Sequence, residues 1–329
     1  MGDSFQARLG DSEWEQWGHL ARPLFRWAGG KRRFIMGNSD KFPEFSGRYH
    51  EPFAGSLAVY FWIASTRFEP LSVRLSDTNV RLIRCYQEIK QSPDTTWETL
   101  SGLIQGYIAS NDKPAFYYRV REDFNSTNPK GDAPRFLFLM ATGWNGVYRT
   151  NLQGSFNVPF GSMERAAAFP SYADIKSASV VLEYADLRAC SWETSLSAVE
   201  KEDFVFLDPP YYSEGSNQAK LYEGSQVFGF KQHEALAKAC LDFQTRGINF
   251  ILTNSFSQTM YSLYLDLGLD VTVVSARRSI NSKADDRGVE GELVVRPYPL
   301  SEVQKDGTLN MDLDLFLKLK NQSRGITNG

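Results

Sequence analysis

Short apolar runs, rich in β-branched and aromatic residues and closed by acids or turn formers, recur along the chain. Val73-Arg74-Leu75-Ser76-Asp77, Val180-Val181-Leu182-Glu183-Tyr184, Phe204-Val205-Phe206-Leu207 and Asn249-Phe250-Ile251-Leu252-Thr253 each read as a buried strand. Val271-Thr272-Val273-Val274 and Glu292-Leu293-Val294-Val295 continue the series. Helical spacing fills the gaps, for instance over Asn79 to Lys90 and Gln232 to Thr245. Such alternation predicts an α/β fold with a mostly parallel sheet covered by helices on both faces. The stretch from about Gln91 to Ser179 breaks the pattern and is too long for an ordinary connection. It is helix-like over Trp97–Ile108, Ala115–Phe124 and Arg135–Met140, then rich in Gly, Asn and aromatics from Gly143 to Gly161. The expected organisation is an N-terminal extension (1–21), a core domain (22–90 and 180–319), an inserted, mainly helical module (91–179) and a C-terminal tail (320–329).

With 329 residues, 42% hydrophobic and 14% aromatic, the chain can bury a large core. It has no run of about 18 apolar residues, so no membrane span is expected. The first twenty residues are polar and acidic, unlike a signal peptide. Cys85, Cys190 and Cys240 are widely spaced and read as buried thiols in a reducing, cytoplasmic compartment. His19, His50 and His233 are scattered, and no zinc site is expected. The net charge of −3 does not announce nucleic acid. A DNA partner therefore requires basic groups gathered on one face. The candidates are Lys31-Arg32-Arg33, Arg119 with Arg121, Arg149, and Arg277-Arg278 through Lys283 to Arg287. Any one of them alone is an ordinary solvated surface.

The sharpest chemical feature is Asp208-Pro209-Pro210-Tyr211, where the Phe204–Leu207 run stops. Ligands of open α/β sheets bind at the carboxyl ends of the strands. An exocyclic amino group on a flat ring is a poor nucleophile, because its lone pair is delocalised. A carboxylate (Asp208) and a backbone carbonyl (Pro209) accepting its two N–H bonds push it toward a tetrahedral, nucleophilic state. Tyr211 can stack on the ring. A proline-stiffened turn is the plain alternative. Upstream, Trp27-Ala28-Gly29-Gly30-Lys31 pairs glycines that allow close backbone approach with a ring and a cation. Its spacing is not that of a phosphate-cradling loop. Glu51-Pro52-Phe53-Ala54-Gly55-Ser56 reads as a strand, a tight turn and a helix N-terminus, a ready site for an anionic ligand group. About twenty residues on, Asp77 (with Thr78-Asn79) suits ribose hydroxyls, and suits a helix cap equally well. Asp186 ends a further candidate strand with the same two readings. In the insert, Gly143-Trp144-Asn145-Gly146-Val147-Tyr148-Arg149-Thr150-Asn151 and Gly154-Ser155-Phe156-Asn157-Val158-Pro159-Phe160-Gly161 combine base-edge readers with apolar wedges. A glycine-rich structural loop is the alternative there.

Taken in order from about Leu24 to Tyr298, these motifs resemble the Dam-type, D12-class (alpha-group) DNA adenine methyltransferases. The Arg278-Ser279-Ile280 segment with Glu292-Leu293 is similar to the family's late motif. The resemblance implies a Rossmann-like class I methyltransferase fold with the insert as target-recognition domain. It implies S-adenosylmethionine as methyl donor, held by Trp27, Ala28, Gly29, Lys31, Phe53, Ala54, Gly55, Ser56, Asp77, Asn79, Asp186 and Asp208. Asp208, Pro209, Pro210 and Tyr211 would be catalytic, acting on an adenine flipped out of double-stranded DNA. Trp144, Asn145, Val147, Arg149, Asn151, Pro159 and Arg278 would contact DNA, with Arg149 on a guanine edge. No metal is implied. The implied site is GATC, in a bacterial or phage-encoded enzyme. The alternatives are a related GA-starting site such as GATATC, with a cognate restriction endonuclease, or a catalytically silent DNA-binding module. Transfer to RNA bases or a protein glutamine amide is a further one, weighed against by the acid at position 208 and by the insert.

Overall fold

The computed structural model describes residue 16 and residues 18–67, 69–126, 132–161, 167–212, 228–277 and 289–298. Most of the expected N-terminal extension, the C-terminal tail, Arg278 and the Lys283–Arg287 loop lie outside the described residues. The fold is mixed α/β with a seven-stranded, mostly parallel sheet, as expected. Its strands are β1 (Tyr49–Glu51), β2 (Val73–Asp77), β3 (Ala185–Ala189), β4 (Phe204–Leu207), β5 (Asn249–Ser255), β6 (Asp270–Arg277) and β7 (Val289–Arg296). The chain divides into two compact units. One holds the described residues up to Gly37 together with Tyr49–Ser197; the other holds Asn38–Arg48 and the described residues from Ala198 on, save for a short masked stretch.

In the first unit β2 is central, with parallel partners on both sides. Tyr49 to Glu51 of β1 register with Val73 to Leu75, and Ala185 to Ala189 of β3 register with Val73 to Asp77. Val73 and Leu75 of β2 are fully buried, while the buried polar side chains between and after them find partners, Arg74 on Asp186 and Ser76 on Ser195. The helix Val80–Gln91 follows β2, capped by Asn79, whose Oδ1 accepts from Leu82 N–H at 3.1 Å. Three further helices, Pro93–Ala109, Lys113–Ser126 and Ala133–Thr142, pack through aromatic edges such as Tyr107–Phe138 (5.5 Å) and Phe116–Phe138 (5.8 Å).

One expected strand is wrong. Val180–Leu182 is the last turn of a helix, Tyr172–Leu182, and the strand begins only at Ala185. A capping box decides the matter: Ser171 accepts from Asp174 N–H while Asp174 accepts from Ser171 N–H at 2.8 Å. Ile175, Ala178, Ser179 and Leu182 then repeat at helical spacing and are all buried. The residue boundary expected between 179 and 180 lies inside this helix. Asp186 is accordingly the second residue of β3, not its end.

In the second unit β4 runs parallel to β5, Phe204 to Leu207 registering with Asn249 to Leu252. The antiparallel β7 lies between β5 and β6. All four side chains of β4 are fully buried. The helix Phe230–Arg246 carries His233, which is inaccessible to solvent and meets the Asn254 side-chain amide of β5 through Nδ1 at 3.3 Å. Burial pushes its pKa down to about 4, with the Pro210 backbone offsetting part of the shift. A histidine held neutral in the fold but free to charge when unfolded contributes stability that is complete above the ordinary pKa of 6.5 and is lost as pH falls from there to about 4. The loss amounts to about 3 kcal/mol. Urea midpoints of wild type and His233→Gln should therefore diverge above pH 6.5 and converge toward pH 4; parallel pH curves would refute the assignment.

Candidate active site

The carboxyl ends of β1 and β2 build one cluster. After β1 the chain turns sharply at Phe53–Leu57, with Ala54 N–H donating to Ser76 O at 2.9 Å and Leu57 N–H to Ala54 O at 2.7 Å. Gly55 has φ of +46°, and a Cβ there would stand 2.9 Å from the Trp27 indole, so only glycine fits. The turn is clamped from two sides: Gly55 N–H donates to Asp77 Oδ2 at 3.2 Å, and Tyr86 Oη–H donates to Gly55 O at 2.9 Å. Asp77 Oδ1 also accepts from Asn79 N–H at 2.8 Å. Asp77 is the last residue of β2 and is not the cap of the following helix, which is Asn79. Burial raises the pKa of Asp77 although the backbone N–H groups of Asn79, Gly55 and Thr78 oppose the shift.

Below that turn the buried Glu51 carboxylate accepts from Tyr49 Oη–H at 2.8 Å and from Tyr60 N–H at 3.1 Å. It thus ties β1 to the first turn of the helix Ala58–Thr66, where a negative charge is favoured. Trp27–Gly30 forms a tight turn, Gly30 N–H donating to Trp27 O at 3.1 Å with Gly29 at φ +78°, the geometry of a type II turn. Lys31 is buried, its Nζ donating to Gly29 O at 2.8 Å. Trp27, Ala28, Gly29, Lys31, Phe53, Ala54, Gly55, Ser56, Asp77 and Asn79 are thus brought into the first unit's turn region.

Asp186 is elsewhere. It pairs with Arg74 at 3.1 Å and with Arg188 at 2.9 Å, three residues back from the strand end, roughly 10 Å along β3. Partial burial raises its pKa, but hydrogen bonds from Arg188 and Arg74 outweigh this and hold the carboxyl below the usual range. The residues beside Asp77 are instead Cys190, whose N–H donates to Asp77 O at 3.2 Å, and Ser191, which caps the short helix Trp192–Ser195. Sequence reasoning missed them because it placed β3 several residues too early.

The two insert motifs meet in an antiparallel ladder. Trp144 N–H donates to Pro159 O at 3.0 Å, Asn157 N–H to Arg149 O at 3.0 Å and Asn151 N–H to Ser155 O at 2.9 Å. Asn145 sits in the left-handed region (φ +54°), which its short amide tolerates and which is a common device at functional loops. Trp144 and Pro159 are exposed, and Val147, Arg149 and Asn151 are partly so. Arg149 Nε donates to Asn157 Oδ1 at 2.8 Å and Nη2 to the Asn157 carbonyl at 3.3 Å, so the Nε–Nη2 edge of the guanidinium is engaged within the hairpin. Asn151 has a local job, its Oδ1 accepting from the N–H groups of Gln153 (3.1 Å) and Ser155 (2.9 Å) to close the hairpin tip.

In the second unit Asp208 leaves the end of β4 partly exposed, with Oδ1 accepting from Thr253 Oγ1–H at 3.0 Å. Tyr211 Oη–H donates to Glu292 of β7. Burial, followed by the charges of Asp208 and Glu292, pushes the Tyr211 phenol well up, so it remains a donor. Tyr212 N–H donates to Asn254 Oδ1 at 3.2 Å and its carbonyl accepts from Ser255 Oγ–H at 2.9 Å. Pro209 is buried and Pro210 exposed. Thr253 and Asn254, which sequence motifs alone did not single out, form a polar backing for the loop with Glu292 of the late motif. Their position on β5 and β7, adjacent through the Ser255–Glu292 pair, is tertiary information.

A family model described as D12 class N6 adenine-specific DNA methyltransferase matches residues 27–280. The type II methyltransferase M.MjaIII of Methanocaldococcus jannaschii is 30% identical over 279 residues, spanning 81% of this chain and 95% of the relative. The type II methyltransferase M1.LlaDCHI of Lactococcus lactis subsp. cremoris is 26% identical over 287 residues, spanning 84% and 95%. The DNA adenine methylase of Escherichia coli K12 is 29% identical over 287 residues, spanning 86% and 99%. The mixed α/β fold with its mostly parallel sheet is that of a class I S-adenosylmethionine-dependent methyltransferase. Carried by a match over most of its length, the chain belongs to the D12 class of N6 adenine-specific DNA methyltransferases.

Proposed function

We propose that this adenine-specific DNA methyltransferase acts on a flipped adenine in GATC, with Asp208, Pro209, Pro210 and Tyr211 as its catalytic loop. The observation that carries the reading is the placement of Asp208 at the open end of a fully buried strand, its carboxylate oriented by Thr253. Asp208 and the Pro209 carbonyl accept the two N–H bonds of the adenine amino group and draw its lone pair out of conjugation. Tyr211, anchored through its hydroxyl, offers a ring face to the base, which helps offset the few kcal/mol needed to unstack it. S-adenosylmethionine supplies an electrophilic methyl group on a sulfonium that departs as a neutral thioether. The proton shed by the amino nitrogen passes to the Asp208 carboxylate or to water.

The first unit's turn region fits that cofactor. Gly29 and Gly55 leave the backbone open to a ligand, Asp77 suits the ribose hydroxyls, Trp27 suits the adenine ring and Lys31 the carboxylate of the methionyl part. Asp186, ion-paired with two arginines, is not among the residues we assign to the cofactor. We assign residues 91–179 to target recognition, with Arg149, braced by Asn157, directed at a guanine and Trp144, Asn145, Val147, Asn151 and Pro159 beside it. The type II names of two relatives favour, as a second reading, a cognate restriction endonuclease acting on the same sequence. An extract of the source cells that cuts unmodified but not modified plasmid would support it.

Incubating unmethylated plasmid with the enzyme and labelled S-adenosylmethionine, then digesting with nucleases blocked by methyl-adenine in GATC, should give protection confined to that site. Label without such protection would move the site. Asp208→Ala should lower single-turnover transfer by about 10²–10⁴-fold while duplex binding persists; near-normal transfer would remove Asp208 from the chemistry. Arg149→Ala should cost about 1–3 kcal/mol of discrimination at one base pair, and unchanged discrimination would make it a structural residue. Ribose hydroxyls donate to the ionised form of Asp77, so affinity for S-adenosylhomocysteine should fall as pH drops through its raised pKa. Asp77→Asn should bind about 1.5–3 kcal/mol more weakly and lose this pH dependence in calorimetric titration.

A further inference from the structure

We propose that Tyr148 is a positioning residue that ties the base-reading strand to the cofactor turn, so that cofactor occupancy sharpens sequence discrimination. The inference rests on the functional reading above and extends it to how the two sites of the first unit communicate. Tyr148 stacks on Trp27 with ring centroids 5.9 Å apart and planes at 28°, and on Phe136 at 5.7 Å and 26°. Phe156 closes its third side at 5.5 Å. Burial pushes the Tyr148 phenol up, with the Arg81 charge, the Asn79 side chain and the Asp77 charge around it.

These contacts form one chain. Tyr148 stacks on Trp27, Trp27 lies against Gly55, Gly55 N–H is held by Asp77, and Asp77 accepts from Asn79 N–H. Every member except Tyr148 belongs to the cofactor turn. Tyr148 belongs to the recognition segment, flanked by Val147 and Arg149. Val147 is extended, and side chains in extended backbone alternate between faces. Val147 and Arg149 therefore point away from the face on which Tyr148 contacts Trp27. A ligand ring seated on Trp27 and a ribose on Asp77 fix this chain at the cofactor turn. The tyrosine stacked on Trp27 is then fixed too, and with it the backbone that carries Arg149. In the empty turn Trp27 lacks that further contact, and the strand has more freedom. By linkage the effect is reciprocal, and cognate DNA tightens the cofactor by the same factor.

The test is fluorescence anisotropy with two duplexes, one carrying the sequence the wild type methylates and one altered at the base pair read by Arg149. Each is titrated with and without saturating S-adenosylhomocysteine, which binds but cannot react. In the wild type the nucleoside should raise the affinity ratio of the two duplexes about tenfold, within the usual range of allosteric couplings. In Tyr148→Ala the ratio should be the same with and without it, and in Tyr148→Phe, which keeps the stack, most of the enhancement should survive. If the alanine variant does not fold, Tyr148→Leu fills the space against Phe136 and Phe156 while removing the stack on Trp27, and is read in the same way. Equal enhancement in wild type and Tyr148→Ala, or none in the wild type, would overturn the coupling alone. Failure of the wild type to methylate any duplex would overturn the functional reading and this inference with it.

Discussion

A single carboxylate organises the turn region of the first unit, where we propose the cofactor binds. Asp77 sits at the end of β2 with one oxygen on Gly55 N–H and the other on Asn79 N–H. It thereby holds the turn after β1 and the entry to the helix Val80–Gln91 at a fixed distance from each other. Removing a carboxylate from water is costly, and backbone donors offset only part of that cost, as its raised pKa records. The remaining deficit is what a ligand hydroxyl can recover. A site built in this way is rigid before the ligand arrives and is improved electrostatically when it does.

The same device recurs. Glu51 spans from β1 to the N-terminus of Ala58–Thr66, and Asp203 accepts from Arg48 N–H at 2.7 Å and Glu200 N–H at 3.0 Å just ahead of β4. Each buried acid takes up backbone donors that a tight turn would otherwise strand. The loop Asp208–Tyr212, which we propose as catalytic, is held differently. There a neutral amide, Asn254, and two hydroxyls, Thr253 and Ser255, support Asp208 and Tyr212, while the carboxylate of Glu292 takes the Tyr211 phenol.

Much of this was legible in the sequence, and the exceptions have physical causes. The strands β2, β4, β5, β6 and β7 announce themselves because short apolar runs end in an acid or a turn former. Val180–Leu182 misleads because a β-branched run is compatible with a strand and with a buried last helical turn; only the Ser171–Asp174 capping box, nine residues upstream, separates the two. That shift put Asp186 at a strand end, where Ala189 and Cys190 lie instead. Motif residues such as Gly55, Asp77 and Arg149 could be named because their chemistry is local. Their supports, Tyr86 under Gly55, Asn157 on Arg149 and Glu292 on Tyr211, lie from 8 to 81 residues away and are fixed by packing that no local pattern encodes.

The hairpin from Gly143 to Gly161, which we assign to target recognition, is fastened to its neighbouring helix through its main chain. From the helix Lys113–Ser126, Tyr117 and Arg121 donate to the Val158 carbonyl at 3.0 and 2.9 Å, and Asn125 brackets Phe156 by both its N–H and its carbonyl. None of these bonds involves the side chains of Trp144, Val147 or Pro159, so exchanging those three leaves the fastening intact. On the proposed assignment the scaffold is a socket for interchangeable readers, which makes divergence of target sequence an accessible evolutionary step.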